Sequence, residues 1–318
     1  MKKEKENKKK LFILIDKLIF ITLLIISFGY YKYYNDGKIH FLNPNMNENI
    51  IKIFISVHKD FKNYKNNPVY KIIADEKSEL KDKYNLNILY ANERKLNNKR
   101  ISYSEMRKLY YIYQMYLNNN ISSKYIGFNH YRRYFDFGDN IPDLDYIFNN
   151  YDVILNKKLN IHIGIREQYC QVHICSNYDQ VLDIIKETKP EYYETAIKVS
   201  NYTKMYICNL FIMKTKDFYN YCKFMFDILF EFDKRNNFTS DKEVLNYTKR
   251  LYYNNINESN YQSRIEGFLS ERLSNIFYAK NFKKIKTFNM KVIDWISENN
   301  NKILNIKPLF VCINKGNQ

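Results

Sequence analysis

Residues 125–135 read YIGFNHYRRYF, an apolar strand that runs directly into a polar, cationic cluster. The carboxyl ends of buried strands are where α/β sheets place their ligand-binding groups. Arg132 and Arg133 beside His130 offer fixed hydrogen-bond donors, which suit a diphosphate or a carboxylate. The alternative is a solvated surface pair, or a pair neutralised by Asp136. The cluster therefore predicts a small anionic ligand at this strand end.

A second strand of the same kind precedes it. Residues 51–57 read IKIFISV and are followed by His58-Lys59. A continuous apolar run is typical of a strand buried on both faces of a parallel sheet. His58 is thus a candidate to touch the same ligand, although a histidine that merely occupies a loop explains it as well.

Apolar segments of strand and helix type alternate along the chain. The patterns predict further strands over 124–128, 152–155 and 205–213, and helices over 102–118, 178–187, 217–232 and 264–277. Alternation of this kind favours an α/β fold with a mixed, mostly parallel sheet. Seven glycines are too few and too scattered for a phosphate-cradling loop, so side chains or a metal must meet any phosphate charge.

Six short motifs follow one another in a fixed order. They are His58-Lys59, a helix entrance at 101–105, HYRR at 130–133, EQY with His173 at 167–173, NLFIM at 209–213 and GFLSERL at 267–273. The ordered set, over about residues 51–280, resembles a family of bacterial capsular and exopolysaccharide glycosyltransferases long described only as a domain of unknown function. One departure is LYYIYQ at 109–114, where that family's helix is usually rich in Trp and Leu.

This resemblance implies a variant of the nucleotide-sugar-binding GT-A fold and the transfer of a hexose. Galactose from a UDP-linked donor is the expected case, with a glycan or a lipid-linked molecule as acceptor. The glycosyltransferase domain is expected to occupy residues 51–295, followed by a tail over 296–318.

The helix over 264–277 carries the candidate catalytic residue. At 100° per residue, Arg264, Glu271 and Asn275 fall on one polar edge, and Glu271 is the candidate general base or acceptor of a sugar hydroxyl. A solvated surface Glu is the alternative. Gly267 costs about 1 kcal/mol inside a helix, so a sugar or the helix's own first turn is expected close to it. Arg272 falls in the apolar arc and needs a carboxylate partner.

Polar side chains on two other segments are candidates for sugar or acceptor recognition. Tyr169 and His173 share a helix face by their i, i+4 spacing, with Gln168 beside them. Asn209 is a polar residue within an apolar strand, where a buried amide must find partners. Structural hydrogen bonding explains these four residues nearly as well.

A metal site is less favoured. The Asp-x-Asp string at 143–145 follows Pro142 at a predicted helix start, where acids cap the helix and interact with its dipole. His130, Arg132 and Arg133 are expected to screen a diphosphate without a cation. Mn²⁺ or Mg²⁺ remains the alternative.

The net charge of +17 raises nucleic acid as a partner. The lysines are spread along the whole chain, however, and no nucleic-acid-binding motif accompanies them, so no such partner is predicted. A basic module that binds nucleic acid or anionic lipid without chemistry is nevertheless the main competing hypothesis. A degenerate sugar-binding relative without activity is a third.

The five cysteines form no CxxC pair and no metal-ligand run. An odd, scattered set predicts no disulfide framework and no structural zinc. Cys208 and Cys222 fall in apolar segments and are expected to be buried.

The amino-terminal segment has the pattern of a membrane anchor. Residues 1–10 are basic, 11–31 are mostly apolar and long enough to cross a bilayer, and 32–50 read as a linker. A cleaved signal peptide is the alternative. The positive-inside bias predicts a cytosolic amino terminus. The side of the membrane on which the catalytic domain lies stays open. Asn-x-Ser/Thr sequons at 120, 201, 237, 246 and 257 would permit glycosylation in a secretory lumen, but such sequons arise readily by chance in an Asn-rich chain.

Overall fold

The architecture comes from a computed structural model that describes residues 49–58, 69–75, 88–91, 94–137, 141–252 and 255–292. The expected tail, anchor, most of the linker and the carboxyl-terminal segment (1–10, 11–31, 32–48 and 296–318) lie outside the described residues. Within the described ranges, no helix has the length and apolar character to cross a bilayer.

A mixed sheet forms the centre of the fold. Its main path runs in the order β3-β2-β1-β4-β9-β6-β10, and β5 and β11 extend it beside β4. Along the main path, β9 is antiparallel to both neighbours and the other described pairs are parallel. The strands are β1 (Ile51–Ser56), β2 (Tyr70–Ala74), β3 (Ile88–Tyr90), β4 (Tyr125–His130), β5 (Arg133–Phe135), β6 (Val153–Asn156), β7 (Leu159–Asn160), β8 (Lys204–Met205), β9 (Phe211–Lys214), β10 (Ile285–Phe288) and β11 (Met290–Val292).

Helices cover both faces of this sheet, which confirms the predicted α/β class with a mixed sheet. They are α1 (Met106–Leu117), α2 (Leu144–Asn150), α3 (Ile165–Val172), α4 (Cys175–Thr188), α5 (Pro190–Ser200), α6 (Thr215–Asn236), α7 (Asp241–Leu251), α8 (Ile256–Gln262) and α9 (Ile265–Asn281). The larger core lies between the sheet and α1, α4, α6 and α9. A smaller core, which includes Leu144 and Phe148 of α2, covers the other face.

The register of two parallel strands aligns the predicted ligand-binding ends. Ser56 of β1 pairs with His130 of β4, so His58 follows β1 at the edge where β4 ends. Gly127 makes this pairing tight, since a Cβ there would lie 3.0 Å from Ile53. Adjacent parallel strands thus bring His58 and the cluster at 130–133 to one edge of the sheet.

The prediction of one strand over 205–213 is wrong. It divides into β8 and β9 because Cys208 and Asn209 have positive φ angles of 68° and 49° and form a left-handed turn. The helix predicted from residue 102 begins at Met106, because Ser104 has a φ of 51°. Positive φ at such residues is uncommon and interrupts regular structure.

The prediction of no disulfide is also wrong. Cys170 in the last turn of α3 is bonded to Cys175 at the start of α4. The backbone turns at His173, which ends α3 in an extended conformation and brings the two sulfurs together. Cys208 and Cys222 are free and buried, as predicted.

Candidate functional site

Two histidines and a tyrosine meet at the carboxyl edge of β1 and β4. The ring centroids of His58 and His130 are 5.4 Å apart, and both rings contact Tyr131. The Tyr131 hydroxyl lies 3.5 Å from His58 Nε2. His130 also pairs with Arg133 across the tight turn that joins β4 to β5. The HYRR sequence is therefore a tight turn, with Tyr131 and Arg132 at its tip and Arg133 as the first residue of β5.

Both imidazoles of this edge are neutral near pH 7. Desolvation, followed by the charges of Lys108, Arg132 and Arg264, lowers the pKa of His58 to about 4. Desolvation also lowers the pKa of His130 to about 2, with His58 and the two arginines adding to the effect. The histidines consequently offer hydrogen bonds to a ligand, and the arginines carry the positive charge.

The charges of the two arginines are not neutralised by acidic side chains of the described residues. Within the described part of the chain neither Arg132 nor Arg133 forms an ion pair, so Asp136 does not neutralise them. The Arg132 Nε is buried without a hydrogen-bond partner there, and its guanidinium lies 5.3 Å from the Tyr131 ring centroid. A buried donor without a partner is costly unless a ligand accepts its hydrogen bond.

Glu271 of α9 faces the same space from the helical side. Its Oε1 accepts the backbone N–H of Cys208 at 3.1 Å, and its Oε2 lies 3.3 Å from Arg272 Nη1. Its side chain is 25% exposed. Desolvation raises the pKa of this carboxyl, while the charges of Arg272 and Arg133 oppose the increase. Arg133 is thus close enough to Glu271 for its charge to act on the carboxyl.

Arg272 joins Glu271 to two other predicted residues. Its Nη2 donates to Gln168 Oε1 at 2.7 Å, and its guanidinium lies 5.1 Å from the Tyr169 ring centroid. The prediction that this buried guanidinium needs a carboxylate is confirmed. Gln168 and Tyr169 are themselves buried, so they contact Arg272 from the interior of the protein.

His173 lies behind this network, against the ring of Phe268. Its Nδ1 is 3.0 Å from Gln262 Oε1, and its ring stacks on Phe268 with centroids 3.9 Å apart. The rings of Tyr169 and His173 are 4.9 Å apart, which confirms that they share a face. Desolvation, together with Arg272, lowers the pKa of His173 to about 3.

One narrow stripe of α9 is open to solvent. Over residues 264–278, all of which the structure describes, Arg264, Phe268 and Glu271 alone are partly exposed. Their i, i+4, i+7 spacing places a cation, an aromatic ring and a carboxylate along one line. Asn275 was predicted on this edge, but it is buried and its amide binds both the N–H and the C=O of Tyr206.

Comparison with known proteins identifies the family. Residues 52–282 match the family described as "Domain of unknown function (DUF4422)". The chain belongs to the DUF4422 family. No curated protein matches the sequence.

A solved structure shares the fold of this DUF4422 chain. The apo structure of the WbbM bifunctional glycosyltransferase superposes with a TM-score of 0.58 at 20% sequence identity. The match covers 77% of this chain and 46% of that chain, so the DUF4422 chain spans less than half of the bifunctional protein. At this identity the similarity establishes the fold, which is that of a glycosyltransferase structure.

Two predicted sugar-binding residues of the DUF4422 domain have their contacts inside the protein. The Asn209 amide donates to Ser270 Oγ at 3.1 Å and to Glu105 Oε1 at 3.3 Å, and its Oδ1 accepts from Ser274 at 2.9 Å. Gly267 donates its N–H to Ser102 O at 3.0 Å, and an added Cβ would lie 3.1 Å from Ser104 Cβ. The close approach expected at Gly267 is thus made by the turn before α1.

Two acidic side chains at this edge, Glu105 and Asp75, carry no local sequence signal of a ligand-binding role. Glu105, beside that turn, holds Asn209, and its charge raises the pKa of His58 and of Glu271. Asp75 follows β2 and receives hydrogen bonds from Arg107 and Lys108 of α1. Glu105 lies in the predicted helix entrance at 101–105. The left-handed turn at 208–209 contacts Glu105 through Asn209 and Glu271 through Cys208.

The Asp-x-Asp string lies at the opposite edge of the sheet. Asp143 caps α2 by accepting the N–H of Tyr146 at 3.0 Å, as predicted. Asp145 binds Lys124 and the Tyr125 hydroxyl at the amino end of β4. Tyr125 and His130 are five residue steps apart along β4, a span of about 17 Å. In the described ranges, no group of three or more His, Cys, Asp or Glu is arranged to hold a metal ion.

Proposed function

We propose that this DUF4422 protein is a glycosyltransferase that transfers a hexose from a nucleotide-diphosphate sugar to a glycan or a lipid-linked acceptor. Two arginines without ion pairs in the described chain carry this proposal, together with a carboxylate, Glu271, on which the charge of Arg133 acts. The fold similarity to a glycosyltransferase supports it. UDP-galactose is the donor that the motif resemblance favours.

Arg132 and Arg133 would bind the donor diphosphate. Guanidiniums form charge-assisted, often bidentate hydrogen bonds with phosphate oxygens. Neutral His58 and His130 would add hydrogen bonds at the same edge. The positive charges of the two guanidiniums would stabilise the nucleoside diphosphate as it leaves.

Glu271 would act as the general base toward the acceptor. Its carboxylate takes the proton of the acceptor hydroxyl as that oxygen attacks C1 of the sugar, and the bond between C1 and the diphosphate oxygen breaks. A raised pKa strengthens the carboxylate as a base. The Cys208 N–H and Arg272 hold the carboxylate in position.

The remaining predicted residues would shape the sugar site. Arg264 is partly exposed on the stripe beside Glu271 and donates to Ser104 Oγ at 2.9 Å, which leaves other N–H groups for sugar hydroxyls. Gln168, Tyr169 and His173 would act through Arg272 and Phe268. Asn209 and Gly267 would hold the site together.

No metal would be required, since the two guanidiniums supply positive charge at the diphosphate. Mn²⁺ or Mg²⁺ bound together with the donor is the alternative, and turnover with and without EDTA distinguishes the two. We also propose that residues 11–31 anchor the protein in a membrane with a cytosolic amino terminus, so that the domain works near a lipid surface.

The decisive experiment incubates the full chain with a panel of UDP- and GDP-sugars and measures nucleotide release. Release from one UDP-hexose, increased by an acceptor, is the expected result. The absence of release from every donor would reject catalysis. Binding of UDP that changes little between 50 and 200 mM salt, where nonspecific polyanion binding falls steeply, would separate this proposal from a basic binding module.

A further inference from the structure

We propose that Tyr261 and Phe268 form a stacking platform for a sugar ring of the acceptor glycan. The inference rests on the proposed glycosyl transfer and adds to it the chemical class of the acceptor and the place where it binds. Tyr261, in the last turn of α8, is 49% exposed. Its ring centroid lies 5.1 Å from that of Phe268, the aromatic residue on the open stripe of α9.

Other side chains pack behind the two rings. His173 stacks on Phe268 at 3.9 Å and is roughly parallel to Tyr261 at 6.2 Å. Gln262 holds the His173 ring and also donates to Val172 O at 2.7 Å. The neutral state of His173 keeps the rear of the platform uncharged at physiological pH. The planes of the Tyr261 and Phe268 rings are tilted by 44°, so the pair presents an angled apolar surface to solvent.

Charged groups border that apolar face on the side of the catalytic candidate. The Arg264 guanidinium lies 5.5 Å from the Phe268 ring centroid. The charges of Arg264, Glu271 and Arg272 all act on the Tyr261 hydroxyl. Phe268 and Glu271 are three residues apart on one helix, which is a rise of about 4.5 Å. A ligand on the rings is therefore within reach of the Glu271 carboxylate.

A pyranose matches this combination of surfaces. One face of the ring consists of C–H bonds that pack on an aromatic face, and its rim carries hydroxyls that hydrogen-bond to charged groups. A lipid chain fits less well, because it would desolvate Arg264 and Glu271 without offering them hydrogen bonds. The alternation of aromatic and charged side chains thus favours a glycan.

Binding of glycans to the full chain in a sugar-free detergent tests the platform without requiring turnover. Saturation-transfer NMR is recorded with methyl hexosides and short oligosaccharides, in the presence of UDP. We expect saturation transfer to C–H protons on one face of a sugar. Tyr261→Ala should weaken that binding at least tenfold, and Tyr261→Phe should restore most of it because the ring is kept. Tyr146→Ala, at a comparably exposed tyrosine on the opposite edge, is the control.

The outcomes separate the two proposals. No saturation transfer to any glycan, or transfer unchanged in Tyr261→Ala, overturns the platform while UDP-sugar turnover leaves the proposed function intact. If Tyr261→Ala instead abolishes association with phosphatidylglycerol vesicles and leaves glycan binding unchanged, the rings bind lipid and the platform is also rejected. Where turnover is found, Tyr261→Ala should raise the acceptor KM at least tenfold and change kcat much less.

Discussion

The Glu271 carboxylate accepts the backbone N–H of Cys208 at 3.1 Å, a contact between residues 63 positions apart in the chain. Cys208 has a positive φ, so this N–H points toward α9 instead of into the sheet. The contact fixes the carboxylate on the open stripe of the helix, where the charge of Arg133 also acts on it.

Replacing either arginine by alanine should weaken UDP binding. A charge-assisted hydrogen bond contributes about 1.5–3 kcal/mol, so we expect Arg132→Ala or Arg133→Ala to raise the UDP Kd roughly 10- to 150-fold. Calorimetry measures the effect, and Lys198→Ala on the exposed surface of α5 is the matched control. Unchanged affinity in both arginine variants would remove the HYRR turn from the site.

Glu271→Gln should separate binding from chemistry. The amide keeps the size of the side chain but cannot take a proton, so turnover should fall about 10²–10⁴-fold. UDP affinity and melting temperature should stay close to those of the native protein. Glu191→Gln, an exposed acid of α5, should retain full turnover. Near-native turnover in Glu271→Gln would mean that another group is the base.

His173 should make the fold sensitive to acid. Its folded pKa of about 3 lies below the unfolded value, so the unfolded state binds more protons between these values. The contribution of neutral His173 to the free energy of unfolding is therefore fully present above about pH 6.5 and is lost as the pH falls toward 3. From pH 7.5 to 4.5 this residue should account for roughly 2–3 kcal/mol of the lost unfolding free energy.

Urea unfolding at several pH values checks this prediction. His173→Asn should flatten the pH dependence by that amount, whatever its effect at neutral pH, whereas His162→Asn at an exposed position should not. An equal slope in the native protein and His173→Asn would contradict the prediction.

Deleting residues 1–31 should leave a folded and active domain. The described fold begins with backbone hydrogen bonds from Lys124 and Tyr125 to Asn49 and Ile50, beyond the deleted segment. We expect the truncated protein to fractionate without membranes, to keep its melting temperature and to turn over donor. Loss of folding on truncation would show that the segment is part of the domain and would argue against an anchor.

Local pattern was enough to predict several elements and one half of the site. The apolar runs at 51–57 and 124–128 have the character of buried parallel strands, and their ends at His58 and His130 do lie together. The helical period of residues 264–277 predicted the buried side of α9, including the buried guanidinium of Arg272. These features follow from short-range periodicity, which a single sequence carries in full.

What the sequence determined by itself is therefore the α/β class, the alignment of two strand ends and the burial of α9 on one side. The tertiary structure alone decided which polar residues line the candidate site. Asn209 and Asn275 are polar residues of a kind that often bind ligands, but both form hydrogen bonds to backbone or side-chain groups that are distant in the sequence. Glu105, Tyr261 and Phe268 reach the site because α8, α9 and the turn at 208–209 converge there. Positive φ angles, and contacts between residues that are distant in the sequence, depend on tertiary packing, so a local sequence pattern does not predict them.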